Sequence, residues 1–392
     1  MSELREETVR SLLAQLRRYS SAAFDLAVYS LAFNDSVAAL EVLLIEDVVD
    51  SLTKRLAEKT FQAFRLGGSA RMSHGIAGVA SALDSISDAS GDLATAVLRG
   101  YPPHPYITAT TCMGEAVFPL RSRREVSWPF SAVVDVLLIK RGEKYLLAPE
   151  VSRVMEGDLL VVRGPIDEIE QLSKELGEPI NVEKCSQEVA LLSRAGDRLA
   201  ESVRSLKLSL DAMLDMAFYA LIDDDMEIAS SVVELEDHVD KLYYEALEGI
   251  AEHSYSSPSR EVISLIVFIK SLEEIGDAAH RLAQVVLKRE VSEVLGEAVE
   301  MGEEVYLKVA YPKRDPIELG RLDLEDLGFV VVAVYKRSED DWIVPPRSSM
   351  KLEEGDLLLL KYYKTEASAE RHLLKRLEAM GLRPLTKTPS RS

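Results

Sequence analysis

Two pairs of acidic residues four positions apart in the first half of the chain recur at equivalent positions in the second half. A helix places residues i and i+4 on one face, so each pair would present two carboxylates side by side. Like charges at this spacing weaken an isolated helix, so their recurrence on neighbouring helices predicts a cation between those helices. Carboxylate oxygens favour Mg²⁺, Ca²⁺, Mn²⁺ or iron, which predicts a divalent or ferric ion. The eight predicted ligands are Glu46, Asp50, Asp84, Asp88, Glu236, Asp240, Glu273 and Asp277.

The alternative interpretation of these carboxylates is a solvated acidic face that keeps the protein soluble. His238 and His280 occur near the acids of the second half only. Because His280 lies three residues after Asp277 on the same helix face, it could supply a nitrogen ligand or form an ion pair with a carboxylate. The corresponding position of the first half is Gly91, which predicts that His280 has no role common to both sites.

The chain repeats itself at a spacing of about 190 residues. Asp25 and Tyr29 of the first half correspond to Asp215 and Tyr219 of the second, and the match continues through both Glu-x-x-x-Asp motifs. This period is far longer than that of a solenoid, so the sequence predicts two copies of a domain-sized unit. The repeated Asp and Tyr positions lie on the first helix of each unit, where we expect structural hydrogen bonds between helices.

Apolar residues recur at helical spacing in the first part of each half, and a β-branched, apolar pattern typical of strands follows. The sequence therefore predicts an α+β protein in which two three-helix bundles alternate with two small β-rich domains. Paired copies of this kind suggest a pseudo-twofold axis that mimics a homodimer interface within one chain. The predicted domains are the helical units 1–100 and 186–297, the β-rich units 112–180 and 300–382, and a disordered tail at 383–392.

Turn and linker signals support these boundaries. Residues 102–105, Pro-Pro-His-Pro, stop a third helix predicted at about 73–98 and begin a linker. The tripeptide Glu-Gly-Asp precedes the last strand of each β-rich unit, at 156–158 and 354–356. It predicts the same turn in both copies.

Composition limits the classes of function. With 66 acidic and 46 basic residues, the 392-residue chain has a formal net charge of −20. This charge argues against a nucleic-acid binder and against binding to an anionic membrane through charge alone, and it suits a protein that binds cations or a basic partner surface. The sequence has no basic, apolar leader and no apolar run long enough for a membrane span, which predicts a cytoplasmic protein. Its two cysteines, Cys112 and Cys185, exclude a multi-disulfide framework and leave a single bridge between them open.

The helical units resemble the PhoU domain, a three-helix unit that usually occurs as a tandem pair. The residues that carry this resemblance are the four acidic pairs and, most closely, the segment 271–279, Ser-Leu-Glu-Glu-Ile-Gly-Asp-Ala-Ala. The first copy departs from the pattern, with Asp84 in place of Glu and Ser87 in place of Gly. The resemblance implies that the acids bind metal clusters and that the protein regulates phosphate uptake.

The β-rich units resemble the TrkA C-terminal domain, also called RCK-C. The first copy keeps mainly its central strand, Pro149 and the Gly-Asp at 157–158. The resemblance implies that the two copies pair and sense a small ligand, in some relatives a cyclic dinucleotide, on the cytoplasmic gating machinery of potassium channels and transporters. The second copy carries the fuller pattern, in 315–322, 326–328, the strand 330–334, Pro345, Pro346 and 354–356.

Together the two resemblances cover nearly the whole chain, and their alternating order is that of archaeal proteins described as potassium-transport regulators. RCK proteins commonly carry a Rossmann domain before this module. The sequence has no G-x-G-x-x-G after a predicted strand, so we expect no NAD(H).

Three functions can be weighed on these grounds. The first is a non-enzymatic regulator of membrane cation transport, for potassium, that docks on a channel or transporter subunit at the cytoplasmic membrane face and senses a small ligand through the paired RCK-C-like units. The second is a metal-binding, PhoU-type regulator of phosphate uptake or signalling. The third is an enzyme, since paired carboxylates can act as acid and base. We expect no catalysis, because the sequence has no nucleophile motif and no phosphate-binding loop. The internal pairing remains compatible with a further, isologous homodimer.

Overall fold

The computed structural model contains two helical units that alternate along the chain with two sheet-containing units. The residues it describes are 7–113, 115–127, 130, 132–146, 151–180, 185, 189, 197–253, 259–290, 295–296, 304–363 and 367–385.

Three long helices form the first unit: α1 (Val9–Phe33), α2 (Ser36–Arg65) and α3 (Ala70–Leu98). Asp35 begins α2, because its side chain accepts hydrogen bonds from two backbone N–H groups of the first turn. Gly67 follows α2 with a φ of +99°, a backbone conformation that side chains disfavour. The third helix begins at Ala70, three residues before its predicted start.

A short helix lies in the predicted linker. This helix, α4 (Pro105–Thr111), begins at His104, whose imidazole nitrogen accepts a hydrogen bond from a backbone N–H of the first turn at 3.3 Å. The predicted linker therefore contains a short helix that the sequence did not predict, because proline is well tolerated in the first turn of a helix. Thr108 Oγ1 donates a hydrogen bond to the Ala32 carbonyl at 2.8 Å, which fixes α4 against α1.

The first sheet-containing unit has an antiparallel sheet with the strand order β1-β6-β3-β4, and β2 pairs with β5 beside it. Its elements are β1 (Ala116–Arg121), β2 (Val126–Ser127), β3 (Asp135–Arg141), β4 (Lys144–Leu146), β5 (Arg153–Val154), β6 (Leu159–Gly164) and α5 (Ile166–Leu176). The helix α5 packs on β1 and β6.

The second helical unit repeats the first. It consists of α6 (Arg198–Asp223), α7 (Met226–His253) and α8 (Ser259–Leu287). The first helix of each unit ends at a residue in the left-handed conformation, Asn34 with a φ of 54° and Asp224 with a φ of 52°. Asn and Asp tolerate this conformation better than most residues do, so the repeat preserves the turn as well as the helices.

The second sheet-containing unit has the strand order β10-β9-β12-β7-β13. Its elements are β7 (Glu304–Ala310), β8 (Ile317–Glu318), two short 3-10 helices at Leu319–Leu322 and Glu325–Leu327, β9 (Val330–Lys336), β10 (Asp341–Ile343), β11 (Lys351–Leu352), β12 (Leu357–Tyr363), α9 (Ala367–Met380) and β13 (Arg383–Pro384). The strand β13 pairs with β7, so regular structure continues past residue 382 into the predicted tail.

The Glu-Gly-Asp tripeptides form matching turns, as their positions predict. The glycine of each has a positive φ, +92° and +96°. Asp158 accepts a hydrogen bond from the Met155 N–H at 2.8 Å and forms an ion pair with Arg141 at 2.7 Å. Asp356 accepts one from the Glu353 N–H at 2.8 Å and pairs with Lys336. The tripeptide therefore holds the turn to the sheet, which is a structural role.

The two helical units pack on each other through α3 and α8, and their buried side chains form one continuous core. Each sheet-containing unit has a smaller core of its own. The first helix of each unit, α1 or α6, packs on the sheet that follows it in sequence. Among the described residues, no helix is long and apolar enough to cross a membrane.

Cys112 and Cys185 form a disulfide that joins the end of α4 to the chain beyond α5. The two cysteines are 73 positions apart. Closing a loop of this length restricts the unfolded chain, and it ties the first sheet-containing unit to the helix that precedes it.

Removing the Asp356 carboxylate should destabilise the second sheet-containing unit. In the variant Asp356→Ala the buried Lys336 ammonium loses its nearest acidic partner, which is buried, and keeps Glu353 at 3.7 Å, so we expect a loss of about 3 kcal/mol in the free energy of unfolding. Denaturant unfolding measures this loss. The matched control is Asp326→Ala, because Asp326 is exposed, and its effect should stay within about 0.5 kcal/mol. Equal effects of the two variants would contradict the structural role of the turn.

Candidate functional site

The acidic pairs of the first unit face each other across α2 and α3. Glu46 on α2 lies against Gly91 on α3, where a Cβ atom would overlap the carboxylate. Asp84 accepts a hydrogen bond from Thr53 Oγ1 at 3.1 Å. Asp50 contacts Lys54 at 3.4 Å, in an exposed pair on one helix. The predicted placement of both pairs on facing helices is therefore what the structure contains.

We call the four carboxylates Glu46, Asp50, Asp84 and Asp88 the first acidic face. Nearby cations balance their negative charge only in part. Burial, with the nearby charges of Asp88 and Asp50, raises the pKa of Glu46 to about 7. Burial and the charges of Asp84 and Asp50 also raise the pKa of Asp88. The neighbouring carboxylates thus make ionisation of Glu46 and Asp88 less favourable, and an added cation would relieve this repulsion.

The acidic face of the second unit differs by one histidine. His280 occupies the position that corresponds to Gly91, and its Nδ1 lies 3.5 Å from a Glu236 oxygen. This contact favours the ion-pair interpretation of His280. His238 is exposed. Burial, then the charges of Asp277 and Asp240, raises the pKa of Glu273.

Metal binding by these eight carboxylates stays a prediction. No three acidic, histidine or cysteine side chains of the described residues stand close enough to hold one ion together. The donor set itself fits a hard cation, because all eight ligands offer oxygen and the repulsion among them would fall on binding. The residues that would hold the ion are Glu46, Asp50, Asp84 and Asp88 in the first unit, and Glu236, Asp240, Glu273 and Asp277 in the second.

A second candidate site, which the sequence analysis missed, lies where all four units meet. Glu304, the first residue of β7, forms an ion pair with Arg163 of β6. Glu115, immediately before β1, pairs with Lys361 of β12 at 2.5 Å. Each acid thus contacts the cation of the other sheet-containing unit, and we call these two contacts the crossed ion pairs.

The crossed ion pairs follow the pseudo-twofold symmetry. Arg163 and Lys361 occupy equivalent positions on the central strands β6 and β12. Each of these cations also contacts the repeated aspartate of its own half: Arg163 lies 3.1 Å from Asp25, and Lys361 lies 2.8 Å from Asp215. The expectation that these aspartates bond between helices was wrong, because they reach the sheets.

The repeated tyrosines have different surroundings from each other. The Tyr29 ring packs on Phe33 and Phe118. The Tyr219 hydroxyl donates a hydrogen bond to Asp223 of its own helix at 3.1 Å. The ring contacts of Tyr29 and the hydrogen bond of Tyr219 within its own helix are structural contacts. Neither is the predicted hydrogen bond between helices.

One ion pair breaks the symmetry of the junction. Arg18 of α1 forms a buried pair with Asp135 of β3 at 2.8 Å. The equivalent positions of the second half are Leu208 and Val330, which are apolar and line a cavity. The site of a buried ion pair in one half is thus an open space in the other.

This central cavity has a volume of about 260 Å³ and lies between α1 and α6. Its remaining wall includes Pro345 and Pro346 after β10. Six carboxylates and three cations line it, so the formal charge of the lining is negative. These charged residues are Asp25, Glu115, Arg163, Lys207, Asp211, Asp215, Glu304, Glu325 and Lys361.

Burial and charge act in opposite directions on the acids of the cavity. Burial raises the pKa of Asp25 to about 6, although Arg163 and Lys207 act to lower it. Burial also acts to raise the pKa of Glu304, but the charges of Arg163 and Arg17 outweigh it and bring this pKa to about 2. The neighbouring cations therefore outweigh the cost of burying the Glu304 charge, whereas they do not outweigh the cost of burying the Asp25 charge.

Comparison with known proteins identifies one part of the chain. Residues 203–286 match the family profile described as the PhoU domain. The matched segment covers most of the second helical unit and includes Glu236, Asp240, Glu273 and Asp277. A comparison with curated proteins gave no match.

Solved structures resemble the chain at low sequence identity. PhoU from Pseudomonas aeruginosa shares 18% identity with a TM-score of 0.42, and the alignment covers 72% of this chain and 95% of that one. The phosphate transport system regulatory protein PhoU from Streptococcus pneumoniae shares 13% identity with a TM-score of 0.41, covering 71% and 90%. The GsuK channel shares 12% identity with a TM-score of 0.18, covering 79% and 66%. At these TM-scores the likeness does not define the fold by itself.

Neutralising Glu46 should stabilise the protein at neutral and alkaline pH. A carboxyl group whose pKa rises from 4.5 to about 7 on folding favours the folded state below pH 4.5, and this contribution is lost as the pH rises through 7. The variant Glu46→Gln avoids the loss. Because water reaches this carboxylate and screens its neighbours, we expect a gain of about 1 kcal/mol at pH 8 that disappears at pH 4.5.

Unfolding measured across this pH range tests the prediction, with Glu236→Gln as the matched variant of the second unit. In the second unit the His280 ring lies 3.5 Å from the Glu236 carboxylate, at the position that Gly91 occupies beside Glu46, so the amide variant should bring a smaller gain. A stability difference for Glu46→Gln that is the same at every pH would contradict the proposed repulsion.

Proposed function

We propose that the protein is a non-enzymatic regulator of membrane cation transport, with potassium as the transported ion. The PhoU domain match supports a regulatory role, since that domain belongs to the regulators named above. Neither candidate site combines a nucleophile with a positioned base among the described residues, which fits binding better than catalysis.

The observation that carries the proposal is the pair of crossed contacts at the central cavity. Glu304 with Arg163, and Glu115 with Lys361, join the two sheet-containing units across the cavity. A ligand that enters here would touch both units and both first helices at once. Such a ligand shifts the arrangement of the halves if it binds one arrangement better than another.

The chemistry of the lining favours a cationic ligand. The carboxylates outnumber the cations by six to three, and burial leaves Asp25 with a raised pKa. A small cation would compensate the excess acid, whereas a cyclic dinucleotide brings two further negative charges. A volume of about 260 Å³ also suits an ion or a small organic cation better than a larger ligand, because ligand pockets for drug-sized molecules begin near 300 Å³.

Under this proposal the sheet-containing units are the RCK-C-like ligand sensors and the helical units transmit the change to a channel or transporter subunit. The protein would work in the cytoplasm, at the membrane face where its partner lies. A second copy of the chain is not required for the sensor, because the two sheet-containing units already meet within one chain.

A second candidate function is a metal-dependent, PhoU-type regulator of phosphate uptake. The observation that favours it is the repulsion at the acidic faces, seen in the raised pKa values of Glu46, Asp88 and Glu273. In this case the ions would bind at the helical units, and the crossed ion pairs would only fasten the halves together.

A thermal-shift titration of metal-stripped protein distinguishes the two functions. A ligand that binds only the folded state raises the melting temperature by mass action. We expect K⁺ to raise it in the natural protein and to raise it much less in Asp211→Asn, because Asp211 lines the cavity. The control Asp326→Asn changes an exposed carboxylate outside the lining and should respond as the natural protein does.

The same titration with Mg²⁺, Mn²⁺, Zn²⁺, Fe³⁺ and cyclic di-AMP provides the contrary outcomes. A shift with transition metals alone would support the phosphate-regulator function, provided that it is lost in the variant with Glu236, Asp240, Glu273 and Asp277 all replaced by alanine. A shift with cyclic di-AMP and none with K⁺ would contradict the cationic ligand.

A further inference from the structure

The turn between α2 and α3 has a charge opposite to that of the whole chain. Residues 54–74 contain five Lys or Arg residues and a single acid, Glu58, while the chain as a whole has a net charge of −20. The corresponding segment of the second half, 244–263, contains four acids and one Arg. The repeated fold therefore does not require a basic turn, and the first half has acquired one separately.

Large apolar side chains project from this turn into solvent. The exposed fractions are 61% for Phe61, 46% for Phe64 and 90% for Leu66. In the second half the position of Phe61 is taken by Ala251. Single exposed apolar residues need no explanation, but three within six positions form a patch that the packing of the unit does not use.

Three cations around the patch are without an acidic partner in the described structure. Lys54 pairs with Asp50 and Arg55 pairs with Glu7, so these two are compensated. The side chains of Lys59, Arg65 and Arg71 form no ion pair within the described ranges. We call Phe61, Phe64, Leu66 and these three cations the basic apolar tip.

The acidic faces lie too far away to cancel the charge of the tip. Asp50, the acid of the first acidic face nearest to the tip along α2, precedes Lys59 by nine residues of continuous helix, which corresponds to about 14 Å along the axis. Charges in solvent are screened beyond about 8 Å at physiological ionic strength. A surface that meets the tip therefore meets a local positive charge and not the net charge of the chain. Three acids lie near the tip. Glu58 is on α2, Glu7 pairs with Arg55, and Glu290 pairs with His74.

We propose that the basic apolar tip binds directly to an anionic phospholipid bilayer. Cations attract the charged head groups, and neighbouring Phe and Leu side chains enter the boundary between head groups and acyl chains. The turn of the tip is strongly exposed, with Leu66 90% exposed and open space around Gly67, so its apolar side chains can enter a deformable lipid surface without a preformed pocket.

This inference goes beyond the proposed function and does not rest on it. A protein that binds lipid through the tip need not regulate a transporter, and a regulator can reach the membrane through its partner alone. Lipid binding involves neither the central cavity nor the acidic faces, so its failure would leave the ligand titration unaffected.

Co-sedimentation of the full chain with lipid vesicles tests the inference. We expect binding to phosphatidylcholine vesicles that contain phosphatidylglycerol, little binding to pure phosphatidylcholine, and weaker binding as salt is added. A tip variant, Phe64→Ser, Arg65→Glu, Leu66→Ser and Arg71→Glu, should bind the anionic vesicles at least about tenfold more weakly. Circular dichroism should remain unchanged, since all four side chains are exposed.

The matched control carries the same kinds of change on the second sheet-containing unit, Leu385→Ser, Arg314→Glu and Arg321→Glu, so its charge changes as much as that of the tip variant. All three residues are exposed, and they lie outside the tip. This variant should bind anionic vesicles as the natural protein does. Absence of binding by the natural protein, or equal loss in the control, would overturn the inference. So would capture of an acidic protein by the tip in the absence of any vesicle binding.

A tryptophan introduced into the tip gives a second readout, which does not depend on a loss of vesicle binding. In Phe64→Trp, the added fluorescence should shift to shorter wavelength with anionic vesicles, because the indole leaves water for the bilayer boundary. An emission that stays unchanged while the protein co-sediments would show that another surface binds the lipid, and would overturn the assignment to the tip.

Discussion

Two crossed ion pairs join the sheet-containing units of this protein, next to the core that the two helical units share. Glu304 reaches Arg163 of the other sheet-containing unit, and Glu115 reaches Lys361 in the same way. The same two cations also contact Asp25 and Asp215 on the first helices. Because these charges are buried and each contacts more than one partner, removing one of them unbalances a connected network, so the sheets, the first helices and the cavity between them are fixed together.

The helical units were predictable because local rules define them. Their 3.6-residue periodicity and repeated acidic pairs both appear in the structure, with Glu46 and the pair at 84 and 88 facing each other across two helices. The helix α4 was missed because proline at its first position was interpreted only as a stop signal. The strand β13 was missed because short edge strands depend on their neighbour more than on their own residues.

The central site could not be predicted from the same sequence. Arg163 and Glu304 are 141 positions apart, and no periodic pattern relates residues at that distance. The repeat itself offered one signal, since Asp25 and Asp215 are conserved between the halves as charged residues on mostly buried helix faces. A buried charge requires a partner, but which Arg or Lys supplies it depends on how the four units pack. The pairs involve Arg in one half and Lys in the other, which hid their equivalence.

A double-mutant cycle on Glu115 and Lys361 tests the central claim most directly. The unfolding free energies of Glu115→Gln, Lys361→Met and the double variant give the coupling between the two side chains. We predict a coupling of at least about 1.5 kcal/mol, as for close, desolvated charge pairs. The exposed pair of Glu170 and Lys174 should give less than about 0.5 kcal/mol in the same measurement. A coupling for Glu115 and Lys361 as small as that of the exposed pair would contradict the claim that crossed ion pairs join the two halves.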